Sequence, residues 1–259
     1  MYSIDLNCDL GESFGNYTCG MDQEILPYIS SANVACGFHA SDPVVMEQTV
    51  REAKANRVRV GAHPGFPDLV GFGRRAMQLS PNEITASIIY QIGALKGFCD
   101  ANQVKLQHVK PHGALYNMAV KDLSIAKAIC EGIAAVDDKL ILLAPGNSQM
   151  VSAAKALGLA TANEVFADRA YEEDGSLVSR KKPGAMITDE EEAITRVLQM
   201  IQKGTVTSIT GKEIEVQADS VCVHGDSPAA LSFVRRIRSA LMEEGILIVP
   251  LGQKVLTSI

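Results

Sequence analysis

In LQHVKPHGALYN, residues 106–117, His108, Lys110 and His112 occupy every second position. In an extended chain alternate residues share a face, so three groups able to carry positive charge point the same way. Burying them without partners is costly. The same period recurs in other apolar runs: Asp5, Asn7 and Asp9; Asn33, Ala35, Gly37 and His39; Arg59, Gly61 and His63; Ser220, Cys222, His224 and Asp226. All five histidines fall at or just before the C-terminal end of a predicted strand. Two chemistries suit this set. Asp9, Glu12, His39, His63 and His112 offer nitrogen and carboxylate ligands to a divalent metal such as zinc. Alternatively, the His and Asp residues perform acid–base chemistry while Lys110 holds a carboxylate or a developing oxyanion. Both describe hydrolysis of a small polar substrate, and whether a metal is used stays open at this point. Asp9 and Asp226 are the expected partners of Lys110 and His112. His108 lies deeper in its strand and suits support of the site.

Other motifs are weaker. There is no HExxH metal motif and no G-x-S-x-G nucleophile elbow. TGKE at 210–213 lacks the upstream glycine spacing and the Ser or Thr of a phosphate loop, and it reads as a hairpin turn. GFGRR at 71–75 follows a strand; its glycines allow close backbone approach, and Arg74 and Arg75 suit phosphate or carboxylate.

Positioning such groups requires strands that end together. Strand-like runs are 3–9, 32–38, 58–62, 104–109, 140–144, 159–163 and 220–224, with 246–251 as an eighth strand or a tail. Helical segments alternate with them. Ser41 or Asp42 precedes Pro43 as a cap, Ser80 and Glu83 form a capping box, and Thr188 with Glu191 repeats the device. Another helix starts near Pro228 and stops at Gly245. Repeated β-then-α order implies a parallel sheet with helices outside it. Seven or eight units favour a distorted (βα) barrel over a doubly wound open sheet. Residues 1–259 then form a single barrel domain, with hairpin excursions at 171–180 and 207–217. Catalytic groups of such barrels gather at the C-terminal rim.

Composition narrows the partners. The chain has 24 basic and 30 acidic residues, a net charge of −6, which argues against a general nucleic-acid or anionic-membrane binder. No apolar run is long enough to span a bilayer, and MYSIDLNCDLGE has no signal-peptide character. Six cysteines without a CxxC pair read as buried free thiols in a reducing cytoplasm.

The strand-end motifs together resemble those of the LamB/YcsF family. The matching segments are DLNCDLGESFG (5–15), NVACGFHASDP (33–43), GAHPGFPDLVGFGRR (61–75), VKPHGALYN (109–117), FADRAY (166–171) with DGSLVSR (174–180), and VHGDSP (224–228). Ser41 departs from the glycine expected after HA. The resemblance implies a barrel of about seven parallel strands, similar to glycoside hydrolases and polysaccharide deacetylases. It implies cleavage of 5-oxoproline to glutamate with ATP as co-substrate, in a complex with the B and C subunits of 5-oxoprolinase. On that basis Asp9, His39, His63, Lys110 and His112 are the expected catalytic set. Asn7, Glu12, Arg74, Arg169, His224 and Asp226 are the expected substrate-binding set. Two other readings stand beside it: a stand-alone metal-dependent amidase or deacetylase, and a non-catalytic component that binds 5-oxoproline.

Overall fold

The computed structural model describes residues 2–224 and 228–256. The chain opens with β1 (Ser3–Leu10), α1 (Asp22–Ile25), β2 (Ser31–Ala35), α2 (Pro43–Ala55), β3 (Arg59–His63) and α3 (Pro81–Ala101). It continues through β4 (Leu106–Val109), α4 (Gly113–Lys121), α5 (Leu123–Val136), β5 (Ile141–Ala144), α6 (Gln149–Ala156) and β6 (Thr161–Phe166). The last part holds α7 (Glu190–Gln202), β7 (Thr205–Thr207), β8 (Glu213–Glu215), β9 (Ser220–Val223), α8 (Pro228–Glu243), β10 (Leu247–Ile248) and α9 (Leu251–Leu256).

Seven strands close on themselves in the order β1, β2, β3, β4, β5, β6, β9 and back to β1, all parallel. The fold is a distorted (βα) barrel of seven strands, with helices on its outer face. The eighth apolar run splits: β10 pairs with the start of β1 through Ser3 and Leu247, and α9 packs against β1, β4 and β6. Leu251 joins Ile141, Leu143 and Ala162 in a small apolar cluster. β7 and β8 pair antiparallel with each other, apart from the barrel sheet. Tyr171 bridges Leu177 across the turn at Asp174–Gly175.

The period of two sorts each strand. Ile4, Leu6, Cys8 and Leu10 join the large core shared with the helices. The alternate set is hydrogen-bonded across the barrel interior, where a barrel of this type usually carries apolar layers. At the lowest level Asp5 accepts from Ser30 (2.8 Å), Ser31 (2.6 Å) and Ser220. Above it Asn7 donates to Ser220 (2.7 Å) and accepts from Asn33 (2.8 Å). His108 donates to Asn33 Oδ1 at 2.7 Å. These residues are buried, and most of their polar atoms are paired with one another, His108 Nδ1 excepted. Gly61 makes room for the imidazole: a Cβ there would sit 2.1 Å from His108 Nε2.

Helix starts follow sequence chemistry with one correction. Asp42, rather than Ser41, caps α2, accepting from the Val44 and Val45 amides. Ser80 and Glu83 form the capping box of α3. Thr188 and Glu191 do not cap α7; Asp189 does, accepting from the Glu192 amide. The helix begins one residue later, and Asp is as good a cap as Thr or better. Ser41 has φ 75°, the left-handed region that glycine adopts without a Cβ penalty. That is the physical reason a glycine is expected there.

Candidate active site

The upper ends of β1, β3, β4, β5, β6 and β9 surround a cavity of about 700 Å³. Asp9, Glu12, His63, Arg74, Lys110, His112, Arg169 and His224 line it. The barrel therefore gathers residues from distant parts of the chain. Asn7 lies one layer beneath, its Oδ1 3.3 Å from Lys110 Nζ. Asp226 lies outside the described residues.

Lys110 is buried, and its ammonium is enclosed by protein partners. Nζ lies 2.7 Å from Glu164, 3.0 Å from Asp9 and 3.3 Å from Cys222 Sγ. Burial alone would lower its pKa; the charges of Asp9, Cys222 and Glu164 overcome this and raise it well above the ordinary value. Lys110 is therefore favoured as an ammonium facing two internal carboxylates. The expected Asp226 lies outside the described residues; Glu164 of β6 is a partner of Lys110 that the sequence reading does not name. Its other oxygen accepts from Tyr116 at 2.7 Å.

Asp9 links this pair to the histidines, with Oδ2 3.3 Å from His63 Nε2. Burial raises its pKa, but His63 and Lys110 hold it well below the usual carboxylate range. Asp9 is thus an ionised carboxylate in a largely enclosed site.

The histidine cluster has a specific electrostatic problem. His63 Nδ1 sits 2.7 Å from the Lys110 carbonyl and His112 Nε2 2.8 Å from the Phe72 carbonyl. A carbonyl only accepts, so both of these nitrogens carry hydrogen. In neutral rings the remaining nitrogens, His63 Nε2 and His112 Nδ1, both bear lone pairs, yet they face each other at 2.9 Å. A positive charge between or beside them resolves this repulsion. Glu12 Oε1 lies 3.6 Å from His112 Nδ1 and 3.3 Å from His39 Nε2. Together Glu12, His39, His63 and His112 offer ligand atoms all within 4.8 Å of one another. Histidines tied by their far nitrogen to a carbonyl are oriented as metal ligands usually are. The donor set fits a divalent cation of the zinc type. Burial and then the neighbouring imidazole His39 push His112 down to about 2, leaving it neutral and available as a ligand. Burial and then His63 likewise hold His39 well below its ordinary value.

The tight loop after β3 shapes this cluster. Gly73 has φ 61°, and a Cβ there would lie 2.8 Å from His39 Cβ and 2.9 Å from His112 Cδ2. His39 and His112 stack at 3.7 Å against it. The glycines of GFGRR therefore admit histidine rings. Arg75 is spent on Asp68, while Arg74 stands over the Phe72 ring and reaches the cavity. The expectation that both arginines serve a ligand is narrowed to Arg74.

At the opposite lip, His224 Nδ1 lies 2.7 Å from Asp168 Oδ2. Burial lowers the His224 pKa, but the Asp168 hydrogen bond and charge raise it above the ordinary value. Burial works to raise the Asp168 pKa, and His224 lowers it. This pair favours an imidazolium facing a carboxylate.

The profile of the LamB/YcsF family matches residues 4–255. The chain belongs to the LamB/YcsF family. Among its curated LamB/YcsF relatives, the 5-oxoprolinase A subunit of Clostridium beijerinckii is 65% identical over 97% of this chain and 98% of that protein. The 5-oxoprolinase A subunit of Pyrococcus abyssi is 56% identical over 96% of this chain and 97% of that protein. The crystal structure of the lactam utilization protein from Thermus thermophilus is 47% identical. It superposes with a TM-score of 0.92 over 95% of this chain and 99% of that one. Among the described residues no helix is long and apolar enough to cross a membrane.

Three groups of this LamB/YcsF site are not found by sequence reasoning. The sixth apolar run reads as ending at residue 163, whereas β6 continues to Phe166 and carries Glu164. Continuing the alternation from Ala162 places Glu164 on the inner face. Asp168 lies within FADRAY, past the strand, where no parity assigns it a role. Tyr116 reaches Glu164 from α4, a meeting across 48 residues that no local pattern signals.

Proposed function

We propose that the chain is the A subunit of an ATP-dependent 5-oxoprolinase, acting with the B and C subunits in the cytoplasm. It opens 5-oxoproline to glutamate while ATP is hydrolysed to ADP and phosphate. The observation that carries this reading is the ionised Asp9 held between Lys110 and His63 at the rim of the barrel, in a chain whose close relatives are named for this activity.

A five-membered lactam is a poor electrophile, and phosphorylation of its amide oxygen makes the carbonyl carbon easier to attack. Asp9 accepts a proton from the attacking water, and His63 Nε2, 3.3 Å from its carboxylate, positions it. The water oxygen bonds to the carbonyl carbon and the ring C–N bond breaks, leaving an acyl phosphate that a second water hydrolyses to the free carboxylate and phosphate. The nitrogen takes a proton from the His224 imidazolium, which Asp168 keeps charged. Glu164 and Lys110 fix the charge and orientation of Asp9. Glu12, His39, His63 and His112 would hold a divalent cation; when bound, it would supply a Lewis acid beside the reacting carbonyl or water.

Asp9→Asn and Lys110→Met in the reconstituted complex test this assignment. Turnover is expected to fall at least about 100-fold in each. Near-normal turnover in both variants sinks the proposal.

The four-ligand cluster favours a second reading, a metal-dependent amidase that acts without ATP. Metal analysis of the purified chain, with lactam opening measured with and without ATP, separates the two. Opening by the lone metal-loaded chain without ATP supports the second.

A further inference from the structure

Arg169 is a buried cation that no carboxylate among the described residues pairs with. It follows β6, is 7% exposed and lines the cavity. Its Nη2 donates to the Val178 carbonyl at 2.7 Å, and its Nε is buried without a partner. The adjacent carboxylate, Asp168, is committed to His224. Among the described residues no Asp or Glu forms an ion pair with Arg169. Burial and then the like charge of Arg180 work against its cationic form. A guanidinium stays charged nonetheless, so its burial is costly until an anion arrives.

The other cations of the cavity are less suited to that anion. Lys110 already faces Glu164 and Asp9 at 2.7 and 3.0 Å. Arg74 is exposed and lies 4.9 Å over the Phe72 ring. Arg169 alone among these three combines burial, a place on the cavity wall and unused N–H groups.

We infer that Arg169 anchors the carboxylate of the substrate, so that the site selects a cyclic amide acid over the same lactam without its acid group. This rests on the reading of the cavity as the place where 5-oxoproline is opened. A planar guanidinium matches a planar two-oxygen anion, which favours a carboxylate over a phosphoryl group at this position.

The test compares 5-oxoproline with 2-pyrrolidinone, the same ring without the carboxylate. Both are titrated into the full-length wild-type chain, Arg169→Met and Arg169→Lys by calorimetry, with thermal melts to verify folding. The KM and kcat for 5-oxoproline and the KM for ATP are measured in the complex with the B and C subunits. Arg169→Met is expected to weaken 5-oxoproline binding about 10- to 100-fold and to leave 2-pyrrolidinone binding unchanged. Arg169→Lys keeps the charge and recovers only part of the discrimination. The KM for 5-oxoproline rises in step while that for ATP holds. Equal loss for both lactams in a folded variant overturns the inference, as does an unchanged preference for 5-oxoproline. A shift confined to the KM for ATP also overturns it, by moving Arg169 to the phosphate. Failure of the wild-type complex to open 5-oxoproline, with Arg169-dependent binding intact, would instead overturn the proposed reaction and leave the anchor standing. Absence of any 5-oxoproline binding by the wild-type chain overturns the anchor.

Discussion

Two buried acids, Asp5 and Glu164, have opposite consequences. Asp5 has no cation beside it among the described residues: burial raises its pKa from 3.8 to about 6, although the hydroxyls of Ser220, Ser31 and Ser30 pull the other way. Because the folded value lies above the unfolded one, the stabilising contribution is fully present below about pH 4. It is lost as pH rises through about 6, a change of about 3 kcal/mol. Asp5→Asn removes this titration. Denaturant melts from pH 4 to 7 should therefore show the wild type losing stability relative to Asp5→Asn, with the gap flat above pH 7. A gap independent of pH would place a cation beside Asp5. Glu164, in contrast, faces Lys110 at 2.7 Å. Glu164→Gln leaves the buried Lys110 ammonium with Asp9 as its one remaining carboxylate among the described residues, and it should cost up to about 3 kcal/mol in urea unfolding. Combining it with Lys110→Met should recover part of that loss, because the under-compensated buried ammonium is then gone.

The strands turn residue type into position. Each presents its polar set to the interior and its apolar set to the helices, and the rim groups of β1, β3 and β4 fall on one parity: Asp9, His63 and Lys110. β3 meets β4 at a register shift between Val60 and Gly61, where the His108 ring passes over the glycine. Gly61→Ala drives a methyl into that ring and should destabilise the barrel by about 1–3 kcal/mol or more. The effect should shrink when His108 is shortened to alanine in the same chain. Thermal melts of both single variants and the double variant measure this; strict additivity would mean that the two positions do not compete for the same space. The helix caps are satisfied locally, as the Ser80–Glu83 box shows for α3.

At the scale of the molecule, closure of seven strands matters most. Glu12 follows β1, His39 follows β2, His63 ends β3 and His112 follows β4. A cation held by all four would bind the folded state alone and stabilise it by mass action, by about 3 kcal/mol when present at a hundred times its dissociation constant. Added Zn²⁺ should raise the melting temperature of chelator-treated wild type, and His63→Ala with His112→Ala should abolish the rise. An equal rise in that double variant would place the ion elsewhere.

The sequence alone determined the alternation that puts Asp5, Asn7, Asp9, His63, His108 and Lys110 on inner strand faces, because a period of two is a property of the extended backbone. It also carried the strand–helix order from which the barrel follows, and motifs distinctive enough to point to the family. The tertiary structure decided which groups meet. Glu164 joins Asp9 around Lys110, Asp168 holds His224, and among the described residues no carboxylate pairs with Arg169. Those pairings join residues separated by dozens of positions and depend on how seven strands close. Distance and burial, which set charge and hydrogen bonding at the site, exist only once the barrel has formed.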